Sequence, residues 1–138
     1  MADYITIHET NNELVVELYH VKKMSSASYN NSVGDVYEVC GQAIKSLTCF
    51  VTKVKLIDKL TSRHNVGHCI VKKGGSFNDM IKELKTSGKV LRGSICIVQP
   101  GIKKSKTIPN KIQEVLAATD SYVRKAGKVN KLRIMGSV

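Results

Sequence analysis

Two short alternating runs at the amino-terminal end constrain this chain most. "DYITIH" alternates polar and β-branched or apolar residues and predicts a strand over about residues 3–8. "ETNNE" (9–13) is turn chemistry, and "LVVELYHVK" (14–22) predicts a second strand. So short a connection makes the pair an antiparallel hairpin. Period two then puts Leu14, Val16, Leu18, His20 and Lys22 on one face, and Val15, Glu17, Tyr19 and Val21 on the other. An isolated hairpin is not stable in water, so the rest of the chain must extend this sheet and cover it.

The remainder has the patterns to do so. A polar loop (23–34) leads to a helix. Asp35 is placed to cap it, Glu38 three residues on completes a capping-box pattern, and Val36, Val39, Cys40, Ala43, Ile44 and Leu47 recur at helical spacing. Gly41 in mid-helix suggests close packing on a neighbour. "FVTKVKLI" (50–57) reads either as a strand or as the opening of a helix. "GHCIVKK" (67–73) reads as a short strand ending at Gly74-Gly75. Ser76 caps a helix stopped by Gly88, and 90–101 is a buried strand ended by Pro100-Gly101. Pro109 suits the first turn of a helix running to about residue 125 and closed by Gly127. Its apolar stripe is Ile112, Val115, Leu116, Thr119, Tyr122 and Val123, and 129–138 is a last strand. The order is an α/β class: one domain over residues 1–138, with a mixed central sheet flanked by helices. The chain begins inside its first strand, so either the protein is short or this is a piece of a longer one.

The 138 residues carry 22 Lys+Arg against 11 Asp+Glu, a net charge of +11. A domain this basic is drawn to polyanions, nucleic acid above all. Lysine supplies most of the charge, which favours contact with the phosphate backbone over bidentate reading of bases. No apolar run is long enough to span a membrane and no signal peptide opens the chain, so the expected compartment is the cytoplasm. Cys40, Cys49, Cys69 and Cys96 are spaced by 9, 20 and 27 residues. That excludes a C-x-x-C zinc or redox motif and reads as reduced core thiols. His64, His68 and Cys69 lie close in sequence, but a tetrahedral site needs a fourth partner that the sequence does not show.

The hairpin also gathers chemistry. The start of its first strand lies beside the end of its second, so Asp3 falls near His20 and Lys22. A carboxylate and an imidazole can hold a divalent ion. A lysine beside them can position water and neutralise developing phosphate charge. Gln42, on the polar side of the next helix, faces the same region; Glu38 shares that side, and Glu17 points away by strand parity. Taken singly, each is an ordinary strand-end, helix-surface or terminal residue.

Asp3, "ELYHVKK" (17–23) and "DVYEVCGQAIKS" (35–46) together resemble the core of a PD-(D/E)XK-type nuclease domain. The likeness is to a variant found in bacterial defence and restriction-associated proteins beside helicase or ATPase modules, in which H-x-K replaces the usual acid-x-Lys. "IVQPGIKKSK" (97–106) and "LAATDSYV" (116–123) resemble the tail of that variant. The resemblance implies a restriction-endonuclease-like core, preceded by a helix and strand. It implies a Mg²⁺- or Mn²⁺-dependent endonuclease acting on DNA in phage defence. Asp3 and His20 would be the metal residues, Lys22 the catalytic lysine and Gln42 the supporting helix residue. A helicase or ATPase partner and a homodimer are further expectations. Lys103, Lys104 and Lys106 precede a helix amino terminus, which offers N–H groups to phosphate. With Lys23, Lys45, Lys72 and Lys73 they form the expected nucleic-acid surface, or else a solvated lysine face. Alternatives of other classes are a non-catalytic nucleic-acid-binding module of the same fold and a protein-interaction domain.

Overall fold

A computed structural model describes residues 2–23, 32–67, 75–126 and 129–138. Its strands are β1 (Tyr4–Glu9), β2 (Glu13–Val21), β3 (Val90–Lys103) and β4 (Val129–Ser137). Its helices are α1 (Val33–Ser46), α2 (Lys53–Asn65), α3 (Phe77–Thr86) and α4 (Asn110–Lys125), with a 3-10 turn at Leu47–Phe50. The strands lie in the order β1-β2-β3-β4. β1 is antiparallel to β2, whereas β2, β3 and β4 run parallel. This is the expected α/β domain with a mixed sheet and helices packed on it.

Strand parity organises the core. On β2, Leu14, Val16, Leu18 and His20 are buried, and the register with β3 sets Leu91, Gly93, Ile95 and Ile97 beside them on the same face. Val36, Val39, Cys40 and Ala43 of α1 and Ile112, Leu116 and Val123 of α4 close over that face in one apolar cluster. The opposite face carries the half-exposed Val15, Glu17 and Tyr19. There Glu17 accepts from Thr6 Oγ1 (3.1 Å) and Tyr19 Oη (3.0 Å) and pairs with Arg133 (3.0 Å), facing away from His20 as its parity requires. Cys40, Cys49 and Cys96 are free and buried, and burial pushes their thiols up, so they behave as small apolar residues.

Several local expectations change. The cap of α1 is Ser32, whose hydroxyl accepts from Asp35 N. Asp35 is therefore inside the first turn, where its charge complements the helix dipole. The ambiguous segment after residue 50 becomes α2: Thr52 is extended and caps through Lys55 N, and Leu56 and Leu60, four apart, are its buried residues. Helical spacing thus overrides the local alternation of "VTKVK", whose Val54 is exposed. α3 starts on the predicted Ser76, which forms a reciprocal capping box with Asp79. Tyr122 is 57% exposed and does not belong to the buried stripe of α4. The predicted strand around 67–73, with His68, Cys69, Lys72 and Lys73, and the closing Gly127 lie outside the described residues. His64 stacks on Phe77 at 3.9 Å between ring centroids.

The glycines separate two physical roles. A Cβ on Gly41 would meet nothing within 4 Å, so this helix position does not mark close packing. A Cβ on Gly93 would stand 2.8 Å from the Phe50 ring, so β3 needs glycine there to let the aromatic ring lie flat on the strand. Gly41→Ala is expected to raise stability by about 0.5–1 kcal/mol, because alanine is the better helix former. Gly93→Ala should lower it by roughly 1–3 kcal/mol through overpacking. Urea denaturation of the two variants checks this pair; shifts of the same sign would contradict the packing described.

Candidate active site

β2 ends opposite Val98 of β3, at the carboxyl end of the parallel pairing, the kind of place where open α/β sheets form ligand crevices. Asp3 sits there, immediately before β1. Its N–H donates to Tyr19 O (2.8 Å), and its Oδ2 accepts from Val21 N (2.8 Å). The carboxylate is thereby tied to the last residues of β2.

His20 is wholly buried, and neither ring nitrogen has a hydrogen-bond partner. Burial pushes its pKa down to about 4, against the opposing pull of the Asp3 carboxylate. The imidazole is therefore neutral at pH 7, with a lone pair to give. A buried polar side chain left without partners costs stability, so such a group calls for an explanation beyond packing.

Lys22 continues the ladder, its N–H donating to Val98 O (3.1 Å). Its Nζ donates to Glu38 Oε2 at 2.7 Å and lies 4.0 Å from Asp35 Oδ1. The hydrogen bond to Glu38 raises its pKa, so the ammonium is charged. Gln42, one turn along α1, donates from Nε2 to Glu38 Oε1 at 3.5 Å. Of the four expected residues, Asp3 is bonded to the end of β2 that carries His20, and Lys22 is tied through Glu38 to Gln42. Glu38, which shares the polar side of α1 with Gln42, is the counter-ion of Lys22 in the fold.

One residue was missed. Gln99 on β3 is 2% exposed, and its Oε1 has no partner. The pairing of Val21 with Val98 and the bond from Lys22 N set Gln99 next to Lys22, on the helix-covered side. Among the described residues four buried side-chain polar atoms lack partners, and three of them belong to His20 and Gln99. The signal was present as a glutamine at a buried-parity position of the run "SICIVQ".

The basic residues divide by height. β3 runs on past Gln99 to Lys103, so Lys103, Lys104 and Lys106 stand beyond the site edge, before α4. At about 3.3 Å per residue, Lys103 is roughly 13 Å past Gln99. Lys23 is exposed directly after Lys22. Lys45 lies in the last turn of α1, roughly 15 Å down the helix from Asp35 at 1.5 Å per residue.

For a divalent ion, the hairpin supplies one carboxylate and one neutral imidazole. Among the described residues no group of three or more His, Cys, Asp or Glu side chains converges. Mg²⁺ and Mn²⁺ are usually held by one or two carboxylates with water and substrate phosphate completing the shell; Asp3 is one such group, and His20 adds a softer nitrogen donor. The partnerless nitrogens of His20 are the observation that favours the fit. No protein family, curated protein or solved structure matches the chain.

The depressed His20 predicts an acid limb of stability. Above pH 6.5 the group is neutral in both folded and unfolded chains and contributes nothing to pH dependence. As pH falls from 6.5 towards 4, the unfolded chain takes up a proton that the folded one refuses, so stability is lost. The full loss is on the order of 3 kcal/mol. His20→Leu should flatten this limb relative to the wild type in urea titrations between pH 4 and pH 8. Parallel curves for the two proteins would contradict it.

Proposed function

We propose that this domain is a metal-dependent nuclease of the PD-(D/E)XK type, cleaving DNA phosphodiester bonds. The supporting observation is that Asp3, the buried and partnerless His20 and the charged Lys22 all lie at the carboxyl end of β2. A bound Mg²⁺ or Mn²⁺ would polarise the phosphoryl oxygen and make water a better nucleophile. Asp3 and His20 would hold it. Asp3 is already oriented by the Val21 N–H, which removes part of the ordering cost of binding.

Lys22 is protonated, so it cannot take a proton from water. Its role is electrostatic: the ammonium neutralises charge developing on the phosphate and orients the attacking water by donation. To do so it must leave Glu38, whose carboxylate is about half exposed. An exposed ion pair of this kind is worth at most about 1 kcal/mol, so an incoming phosphate can displace it. Gln42 holds the other Glu38 oxygen and keeps that carboxylate on α1. The lysines beyond the site edge would take the phosphate backbone on either side.

A second reading is a non-catalytic DNA-binding module of the same fold. The donor count favours it, because histidine in place of an acid leaves Asp3 as the one carboxylate bonded to the end of β2. Cleavage assays separate the two. With Mn²⁺, the protein should nick plasmid or linear DNA, and Lys22→Ala should lose at least about 100-fold of that rate. DNA affinity of the variant should fall by less than about tenfold, since one phosphate contact of many is lost. Intact DNA at millimolar Mn²⁺, together with unaltered binding, would leave the binding module as the function.

A further inference from the structure

We propose that Gln99 is the third protein ligand of this metal site, through its carboxamide oxygen. The inference rests on the metal-dependent reading above. Three observations carry it. Gln99 is at a core position, yet its Oε1 makes no hydrogen bond, so its polarity is left unsatisfied in the metal-free fold. The β2–β3 register and the Lys22 N to Val98 O bond set it beside Lys22, on the face that His20 occupies. With strands about 4.8 Å apart and a rise of about 3.3 Å per residue, its Cα lies roughly 8 Å from that of His20. Two side chains at that separation can reach one ion between them. Finally, Asp3 is the one carboxylate that the hairpin bonds to the end of β2 where His20 lies, and among the described residues no group of three or more His, Cys, Asp or Glu side chains converges. A carboxamide oxygen is a hard donor of the kind Mg²⁺ and Mn²⁺ accept. It adds coordination without adding charge, and the bound ion would satisfy an oxygen that is otherwise orphaned.

This makes an unusual stability prediction. A glutamine kept for packing should destabilise the fold when replaced. A glutamine kept for metal should not: Gln99→Leu removes a buried acceptor without a partner, and the metal-free variant should be at least as stable as the wild type.

The test is Mn²⁺ titration to millimolar concentration, without DNA, followed by calorimetry and by the Mn²⁺-induced rise in Tm. The proteins are wild type, Gln99→Leu, Gln99→Glu and Asp3→Asn. Expected are Mn²⁺ binding by the wild type and its loss in Asp3→Asn. Gln99→Leu should bind roughly tenfold or more weakly, with the metal-induced Tm shift reduced in step. Gln99→Glu, keeping the oxygen and adding charge, should bind at least as tightly as the wild type. If Gln99→Leu binds Mn²⁺ like the wild type while Asp3→Asn does not, Gln99 is no ligand and the nuclease reading stands. If Gln99→Leu does not fold, Gln99→Glu decides: binding weaker than wild type overturns the assignment. If the wild type takes up no Mn²⁺, the metal site and this inference fall together.

Discussion

Parallel pairing of β2 with β3 is the interaction on which the rest depends. It runs unbroken from Glu13 opposite Val90 to Val21 opposite Val98, and the Lys22 N–H extends it one step. A slip of one residue would turn Leu14, Val16 and Leu18 out of the core and bring Glu17 in. The register is therefore held by burial along its whole length. Arg92 adds a contact at the start, donating from Nε and Nη2 to Glu13 Oε1 (3.0 and 2.8 Å), but this pair is partly exposed and contributes little. The same parity that buries the leucines delivers His20 and Gln99 to the covered face at the site edge. Core and site are one pattern, and the polar residues at its end are the part that packing does not explain.

What could be read in advance follows from this. Period two is a local property, so the hairpin, the face shared by His20 and Lys22, and the outward Glu17 were visible in "LVVELYHVK". Ser76 was legible because a capping box is also local. Interactions across the chain were not. Asp35 resembled a cap, but the backbone enters the helix at Ser32. Glu38 looked like part of a capping box, yet it is the partner of Lys22, sixteen residues earlier. The buried parity of Gln99 could be read in "SICIVQ", but its neighbours could not, because they are set by strand pairing across more than seventy residues. The restriction-endonuclease-like core suggested by the motifs remains the proposed frame for this sheet.

Charge at the site is arranged with economy. Asp3 is the carboxylate tied to the hairpin, His20 is neutral, and Lys22 is balanced by Glu38 with Asp35 nearby. A second acid at position 20, buried as fully as the histidine is, would carry a large desolvation cost in the metal-free protein. Histidine avoids that cost, because burial keeps it neutral rather than charged and unpaired.

The consequence of that choice reaches to substrate binding. With one carboxylate and neutral donors, the protein offers a divalent cation less charge than a two-acid site would. More of the ion's stabilisation must then come from the oxygens of a bound phosphodiester. By linkage, an ion that binds better with substrate present makes substrate bind better in turn, by the same factor. On the proposed reading, the lysines beyond the site edge would supply long-range attraction for the polyanion without specificity. Ion and scissile phosphate would supply the local grip together. On the same reading, the histidine would lower the affinity of the free protein for the ion without abolishing it, and bound nucleic acid would raise that affinity.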